Sequence, residues 1–412
     1  MVVAAIFFLL DWYLYQSVRY VFQDVSLPLK RVLFVGYWLI SLAALGGFLY
    51  YNLGSKTAMS RDVRTLIFSL IFINYFSKIF GVLFLLIDDV WRLGQWAWLK
   101  ISDGSAETAT TSSDGEGITR SDFLVKSSLI ATAVPALGMS YGIISGAHDY
   151  RVRRITVPLK NLPPAFDGIC IGQISDIHSG SFYNKTAVKG GVEMLLAEKP
   201  DLIFFTGDLV NNVANEINDY VSVFGQVKAP LGVYSTLGNH DYGDYVSWPS
   251  PQAKRQNVQR VMAAHDVLGW NLLMDENRIL TEGDGQLAII GIQNWGTGRF
   301  PKYGDLSKAY RGAEATDTKL LLSHDPSHWD AQVRPEYPDI DISFAGHTHG
   351  MQFGIEVGNF QWSPVQYVYK QWAGLYQAGQ QYLYVNRGYG YLVFPGRIGM
   401  PPEITVMELK RV

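Results

Sequence analysis

A run of twenty uncharged residues, Val32–Tyr51, constrains this chain more than any other feature of its sequence. A helix needs about 20 apolar residues to cross the hydrocarbon core of a bilayer. Val2–Phe22 and Thr65–Ile87 are also apolar apart from isolated charges. Charged residues make up only 17% of the whole chain, whereas about 25% is usual for a soluble protein. We therefore predict three membrane-spanning helices within residues 1–100.

Two charged residues fall near the middle of predicted spans, Asp11 in the first and Lys78 in the third. A lone charge inside a membrane is costly, so such groups usually pair or face a polar cavity. The first and third spans run in the same direction, which places both charges at a comparable depth. We hypothesise an Asp11–Lys78 ion pair that fixes helix packing. The alternative is that the spans are offset and both charges reach the lipid headgroups.

Two segments separate these spans from the rest of the chain. Residues 101–121 are rich in Gly, Ser, Thr and acidic residues, and we predict a flexible linker because this composition cannot bury a core. Residues 122–148 are mildly apolar and predict a fourth span. The alternatives are a twin-arginine export segment, in which Ser121 replaces the second arginine, and a helix lying on the bilayer. Basic residues flank the spans almost equally, so the orientation stays open.

The charge and the cysteine content exclude two classes of protein. The formal net charge is −3, which gives no reason to expect a nucleic-acid partner. Cys170 is the only cysteine in the sequence, so the chain has neither a disulfide framework nor a cysteine-rich zinc site.

Residues 149–412 have the pattern of a water-facing α/β domain, in which short β-rich runs alternate with helical stretches and turns. Five of the β-rich runs end in residue types that bind metals. These five blocks are Asp176-Ile177-His178, Gly207-Asp208-Leu209-Val210-Asn211, Gly238-Asn239-His240-Asp241, His324 and Gly346-His347-Thr348-His349. Ligands collect at the carboxyl ends of strands in layered α/β folds, so we predict that the five blocks meet at one site.

The five blocks supply carboxylate, amide and imidazole groups without a thiolate, a ligand set that suits Mn²⁺, Fe, Zn²⁺ or Mg²⁺. Two such metals about 3.5–4 Å apart can share a carboxylate and promote in-line displacement at phosphorus. Each block alone is compatible with ordinary turn chemistry or a surface histidine. Five blocks in this order predict a metal centre, while His148, His265 and His328 are interpreted as structural histidines.

The blocks DIH, GDLVNN, GNHD, His324 and GHTHG resemble those of the calcineurin-like metallophosphoesterases over about residues 150–412. Within that superfamily the chain is similar to the membrane-associated branch, which includes transmembrane proteins with a metallophosphoesterase domain, exported phosphodiesterases and UDP-2,3-diacylglucosamine hydrolases. The resemblance implies an α/β fold in which N-terminal transmembrane helices precede a four-layer αββα sandwich.

The resemblance also implies a metal-binding role for seven residues of the five blocks. The first metal would have three ligands of its own: Asp176, His178 and His349. The second metal would have three others: Asn239, His324 and His347. One carboxylate, that of Asp208, would bridge the two metals. The cofactors are thus expected to be two divalent ions of Mn, Fe, Zn or Mg, with Mn favoured.

His240 is the residue to which the resemblance gives a catalytic role without metal binding. It would protonate the leaving oxygen or steady the phosphoryl group, with Asp241 orienting its ring. The family often continues its last block as Gly-Gly-Gln, whereas this chain has Met351 at the middle position. A side chain there could narrow the mouth of the site.

Basic residues outside the five blocks are candidate substrate contacts. One loop, Asn294–Asp305, carries three residues that suit an anionic, partly apolar substrate: Arg299, Phe300 and Lys302. An ordinary surface loop is an equal alternative. Arg387 and Arg397 are further phosphate candidates. Three more basic residues lie on a predicted helix and are interpreted as its solvated face: Lys254, Arg255 and Arg260.

The function expected from these features is hydrolysis of a phosphodiester or pyrophosphate bond, without a covalent enzyme intermediate, by a membrane-anchored dinuclear enzyme. A lipid-linked phosphorylated substrate such as UDP-2,3-diacylglucosamine fits the anchor and points to glycolipid metabolism. The expected location is a bacterial inner membrane that the chain crosses several times, with the side of the catalytic domain open. The alternatives are an envelope-facing phosphodiesterase of broad specificity and a membrane receptor or transporter whose domain only binds.

Overall fold

The computed structural model describes five stretches of the chain: residues 1–54, 59–101, 119–298, 300–358 and 360–412. Most of the predicted linker, residues 102–118, lies outside the described residues, as does Arg299. The chain divides into two compact units, Met1–Tyr141 and Gly142–Val412.

Within the described residues, the first unit is built from four helices, of which the last continues into the second unit. They are α1 (Val2–Val21), α2 (Leu27–Leu53), α3 (Arg61–Ile101) and α4 (Arg120–Ile144). All four are long and apolar enough to cross a membrane. The third helix is longer than its predicted apolar stretch, because its 41 residues continue through the Trp-rich segment that follows Ile87.

The Asp11–Lys78 ion pair predicted from the sequence is confirmed. Lys78 Nζ lies 2.6 Å from Asp11 Oδ1, and both side chains are buried. The same ammonium group donates a hydrogen bond to Ser41 Oγ at 2.7 Å, and Tyr75 donates one to Asp11 Oδ2 at 3.2 Å. Since these residues come from α1, α2 and α3, the polar cluster ties three candidate membrane spans together.

The second unit is an α/β domain. Its strands are β1 (Arg151–Leu159), β2 (Cys170–Ile174), β3 (Leu202–Thr206), β4 (Val233–Thr236), β5 (Asn271–Leu272), β6 (Glu276–Glu282), β7 (Gly285–Gly291), β8 (Thr318–Leu322), β9 (Ile342–Ala345), β10 (Ile355–Val357), β11 (Phe360–Trp362), β12 (Gly374–Ala378), β13 (Gln381–Val385) and β14 (Glu403–Arg411). Its helices are α5 (Lys185–Ala197), α6 (Val221–Phe224), α7 (Pro251–Leu268), α8 (Leu306–Tyr310) and α9 (Arg334–Glu336).

Among the described residues these strands form two six-stranded sheets and a separate hairpin. The first sheet has the order β1-β14-β2-β3-β4-β5, the second has the order β12-β13-β9-β8-β7-β6, and β10 pairs with β11. Neighbours from β2 to β5 are parallel, as are β13, β9, β8 and β7. Parallel strands end at the same edge, so the loops that follow them converge.

The alternation of side chains along the strands explains how the sheets stack. Leu202 and Phe204 of β3 pack into the core between the sheets, where the Phe204 ring lies 4.9 Å from that of Phe344. Ile203 and Phe205 point to the opposite face, into the core that includes residues of α5 and α7. A third core covers the outer face of the second sheet and includes residues of α8. The predicted four-layer αββα fold after apolar helices is confirmed.

Candidate metal centre

The loops that follow five parallel strands bring the predicted site residues to one place. The residues and the strands that they follow are Asp176 and His178 after β2, Asp208 after β3, Asn239 and His240 after β4, His324 after β8, and His347 and His349 after β9. Five of the ligand candidates have a backbone φ between +47° and +70°: Asp176, His178, Asp208, His347 and His349. Non-glycine residues rarely adopt this left-handed conformation, and such strain is typical of functional sites.

A first group of ligand atoms comes from Asp176, His178 and His349, whose nitrogen and oxygen atoms lie within 4.8 Å of one another. His178 Nε2 is 3.0 Å from His349 Nε2, which is 3.3 Å from Asp176 Oδ1. Burial lowers the pKa of the His178 imidazole well below its usual value, which keeps the ring neutral. Burial alone would raise the pKa of Asp176, but the His349 imidazole outweighs this effect and holds that pKa below its usual range.

A second group of ligand atoms comes from Asp208, His324 and His347, which also lie within 4.8 Å of one another. The amide oxygen of Asn239 joins them, 3.1 Å from His324 Nε2 and 2.8 Å from His347 Nδ1. His324 Nδ1 lies 2.6 Å from the carbonyl oxygen of Thr206. Because a carbonyl oxygen only accepts, Nδ1 carries the proton of this bond and Nε2 faces the group.

Asp208 lies between the two groups. Its Oδ2 atom is 3.2 Å from His324 Nε2 and 3.5 Å from His178 Nε2, while its Oδ1 atom accepts a hydrogen bond from the His240 backbone N–H. Burial alone would lower the pKa of His324, but Asp208 outweighs it and raises that pKa to about 10. The position of Asp208 is the one required of a shared carboxylate.

The donor atoms of the site fit divalent metal ions. Two imidazole Nε2 atoms only 3.0 Å apart, with a carboxylate beside them, direct several lone pairs at one point. The second group repeats this arrangement with two imidazoles, a carboxylate and an amide oxygen. A cation satisfies such convergent lone pairs, and nitrogen and oxygen donors without sulfur suit the metals named above.

Asp241 has a different role from the one that the resemblance implies. Its carboxylate accepts hydrogen bonds of 2.9–3.2 Å from the backbone N–H groups of Asp208, Leu209, Val210 and Gly238. The His240 ring is oriented instead by the carbonyl oxygen of Asn211, which lies 2.7 Å from its Nδ1 atom. The expectation that Asp241 orients His240 is therefore wrong. Asp241 joins the turns after β3 and β4.

Burial and the neighbouring Asp208 raise the pKa of Asp241 to about 7, so its carboxylate is charged at pH 8.5. At that pH, replacing Asp241 with asparagine should lower the free energy of unfolding by about 1.5–3 kcal/mol, because hydrogen bonds to a charged group are lost and an amide N–H faces backbone N–H groups. Denaturant unfolding of the purified protein measures this change. Asp266→Asn is the matched control, since Asp266 is exposed on α7. Equal stabilities of the two variants would contradict the bridging role of Asp241.

The two arginines proposed as phosphate contacts are buried in the fold instead. Arg387 Nη1 lies 2.6 Å from Glu403 Oε2, and the Arg387 side chain is almost inaccessible. Arg397 is equally buried and donates to the carbonyl oxygen of Gly390 at 2.9 Å, with Nη2 3.3 Å from His349 Nδ1. The expectation that they bind phosphate is therefore wrong, because their guanidinium groups are engaged inside the domain.

The other candidate contacts are more varied. The ring of Phe300 lies 5.1 Å from that of His347, whereas Lys302 Nζ lies 4.0 Å from the centre of the Trp295 ring. Lys254 forms an ion pair with Asp244. The predicted helix that carries Lys254 is α7, and Val261 lies on its buried face. His265 and His328 are buried and hydrogen-bonded outside the metal centre, to Ser235 and Ser323 respectively, as structural histidines should be.

Two tyrosines of the site were missed by sequence reasoning. Tyr245 accepts a hydrogen bond of 2.8 Å from Asn239 Nδ2, and its ring lies 4.5 Å from that of His240. The hydroxyl of Tyr369 lies 2.7 Å from His347 Nε2. Neither tyrosine belongs to a block at a strand end, so no local signal marks it.

Comparison with known proteins agrees with this geometry. The family model "Calcineurin-like phosphoesterase" matches residues 170–351, which contain every predicted ligand. A second model, "Probable Calcineurin-like phosphoesterase, transmembrane domain", matches residues 1–147. One family model thus matches the part of the chain with the candidate membrane spans, and the other matches the part with the candidate metal centre.

Individual relatives agree with the phosphoesterase family model. The Bacillus subtilis metallophosphoesterase YkuE is 30% identical over 278 residues, which cover 66% of this chain and 90% of that protein. A Danio rerio "Transmembrane protein with metallophosphoesterase domain" is 29% identical over 69% of this chain, but only 62% of that relative is spanned. The "UDP-2,3-diacylglucosamine pyrophosphatase LpxG" of Chlamydia trachomatis is 27% identical over 62% of this chain and 88% of its own length. The chain belongs to the calcineurin-like metallophosphoesterase family.

Proposed function

We propose that this protein is a membrane-anchored, metal-dependent hydrolase of a phosphodiester or pyrophosphate bond. The observation that carries the proposal is the position of Asp208, whose Oδ2 atom lies within 3.5 Å of a histidine in each of the two ligand groups. Divalent metals bound there would polarise the phosphoryl oxygens and make water nucleophilic near neutral pH. We favour two ions, with Mn²⁺ as our first candidate among the divalent metals that such nitrogen and oxygen donors can bind.

The ligand roles follow the two groups of atoms. One metal would be held by Asp176, His178 and His349, the other by Asn239, His324 and His347, and Asp208 would contact both. His240 is half-buried beside them, with Nδ1 hydrogen-bonded to the Asn211 carbonyl oxygen. Its other nitrogen, Nε2, is then the atom that would donate a proton to the leaving oxygen or a hydrogen bond to the phosphoryl group.

Replacing His240 with glutamine should lower kcat for bis-p-nitrophenyl phosphate by about 10²–10⁴-fold, the usual contribution of a general acid. The metal content should stay unchanged, because His240 belongs to neither ligand group. Turnover is measured with Mn²⁺ on the full chain in lipid nanodiscs, and bound metal by elemental analysis.

His328→Gln is the control for the His240 variant, since His328 is buried, is hydrogen-bonded to Ser323 and Gln332, and belongs to neither ligand group. It should retain turnover close to that of the wild type. Loss of metal from the His240→Gln variant would indicate that His240 is a metal ligand. An unchanged kcat would show that His240 has no catalytic role. If the metal-loaded wild type hydrolyses neither bis-p-nitrophenyl phosphate nor the lipid-linked substrate proposed below, the proposed hydrolase function is wrong.

A lipid-linked nucleotide such as UDP-2,3-diacylglucosamine is the substrate that we propose. Support comes from the candidate membrane spans, from the similarity to LpxG and from the Phe300 ring beside His347. In a bacterium the membrane would be the inner membrane. Hydrolysis should release UMP and 2,3-diacylglucosamine 1-phosphate from this substrate, as measured by chromatography. Turnover of bis-p-nitrophenyl phosphate without UMP release would favour the phosphodiesterase of broad specificity, and turnover of neither would favour a binding-only protein.

A further inference from the structure

The β10–β11 hairpin has its polar face turned inward and its apolar face turned to solvent. In the antiparallel register, Ile355 lies opposite Trp362, Glu356 opposite Gln361, and Val357 opposite Phe360. Residues that lie opposite each other share a face of the hairpin. One face is therefore entirely apolar and the other carries Glu356 and Gln361.

The polar face is held by the domain. Arg153 on β1 donates to Glu356 Oε1 at 2.8 Å, and Gln361 Nε2 donates to the same oxygen at 2.8 Å. The apolar face is open, with Ile355 50%, Val357 70% and Phe360 60% exposed. This arrangement is the reverse of the usual one, in which a half-buried antiparallel strand presents its apolar side to the core.

The exposed apolar surface continues toward the metal centre along the chain. Met351 and Phe353 are 54% and 44% exposed, and Met351 comes two residues after the ligand candidate His349. We call the surface formed by Met351, Phe353, Ile355, Val357 and Phe360 the apolar hairpin face. Single exposed apolar side chains are ordinary on a protein surface, whereas a group of neighbouring ones marks an interaction site.

The apolar hairpin face lies near the point where the catalytic unit, Gly142–Val412, continues into α4. Phe353 forms a bridge with Ile398, and the backbone N–H of Arg397 donates to the carbonyl oxygen of Gly142 at 3.0 Å. Gly142 belongs to the catalytic unit and to the last turn of α4, which is long and apolar enough to span a membrane. The surface is thus connected, through two adjacent residues, to the segment at which the chain enters its candidate span.

We propose that the apolar hairpin face docks on the lipid bilayer and holds the mouth of the metal centre at the membrane interface. The occupant is the bilayer, because the chain continues from this part of the domain into a candidate span and because aromatic and aliphatic side chains suit the headgroup boundary. Docking itself does not depend on the proposed hydrolysis. The delivery of a lipid-linked substrate from the membrane interface to the metal centre does rest on the proposed function.

The test places a nitroxide spin label at residue 357 of the full chain in phosphatidylcholine–phosphatidylglycerol nanodiscs. The labelled protein carries Val357→Cys in a Cys170→Ser background, since Cys170 is the only native cysteine. Collisions of the label with oxygen, which concentrates in lipid, and with a water-soluble nickel chelate are measured by electron paramagnetic resonance. We expect a high oxygen-to-nickel collision ratio.

Val267→Cys in the same background is the matched control, because Val267 is also a valine and is 67% exposed. It lies on α7, which contacts β5, whereas the hairpin contacts β1 at the other edge of the first sheet. The label at residue 267 should give a low ratio. Equal collision ratios at the two positions would overturn the proposal. A label at residue 357 that neither reagent reaches would also overturn it, because that result would indicate contact with a second protein molecule. Phe360→Cys replaces Val357→Cys if the latter misfolds.

A variant with Val357→Glu and Phe360→Glu separates docking from chemistry. It should keep the turnover of water-soluble bis-p-nitrophenyl phosphate. It should lose most of its turnover of UDP-2,3-diacylglucosamine embedded in the nanodisc lipid. Equal retention of both activities would contradict delivery from the interface. If the wild type hydrolyses neither substrate, the proposed function fails while the spin-label result still decides whether the surface docks.

Discussion

Replacing Asp208 with asparagine should lower the turnover of bis-p-nitrophenyl phosphate by about 10²–10³-fold or more, the cost of removing one preorganised electrostatic group from an active site. The substitution keeps the size of the side chain and removes the negative charge that lies within 3.5 Å of both His178 and His324. An amide offers one acceptor oxygen where the carboxylate offers two. The variant should therefore also bind less metal per chain.

The Asp208 variant is compared with Asp266→Asn, an exposed substitution of the same type on α7. That control should keep both wild-type turnover and wild-type metal content. If Asp208→Asn hydrolyses the substrate within a few-fold of the wild-type rate while binding two metals per chain, Asp208 is not the shared carboxylate and the dinuclear interpretation fails.

Replacing Lys78 with methionine should lower the free energy of unfolding by about 3–5 kcal/mol, since removing one partner leaves the other charge buried and unpaired. The stranded group is Asp11, whose side chain is buried beside Lys78 and Tyr75. Replacing both partners, as in Asp11→Leu with Lys78→Met, should restore much of the stability because no charge then stays buried. Unfolding of the full chain in mixed detergent micelles measures each variant.

Asp24→Ala controls for the loss of a charge, because Asp24 is exposed between α1 and α2. Its stability should match that of the wild type. If Asp11→Ala and Lys78→Ala also unfold like the wild type, the ion pair does not fix the packing of the three helices. A double replacement that is less stable than both single ones would show that the polar cluster contributes more than charge neutralisation.

Local patterns were sufficient for the features that depend on sequence order alone. Apolar length predicts the spans, and the position of Asp176 or His324 at the end of a β-rich run predicts that it reaches a common edge. These inferences need only the direction of a strand or helix. They do not require knowledge of which atoms meet.

Features that depend on atomic contacts could not be read from the chain. Arg387 and Arg397 have no sequence signal that separates a buried arginine from a surface one, and Asp241 binds backbone N–H groups whose direction only the folded turns define. The alternation Ile-Glu-Val in β10 indicates a strand, but period two cannot tell which face is buried. The inverted hairpin is therefore visible only in three dimensions.

The hydrogen bonds of Asp241 bear on how the protein acquires its metals. They link the turn that carries Asp208 to the turn that carries Asn239 using backbone N–H groups and one carboxylate alone. Small zinc domains, by contrast, gain their folded shape from the ion itself. Because these bonds use none of the ligand atoms of the site, we expect the two turns to stay joined whether or not an ion is bound. Ions could then load late and exchange without refolding of the chain. Which metal the protein uses would then depend on the cellular supply of each ion as much as on the ligands of the site.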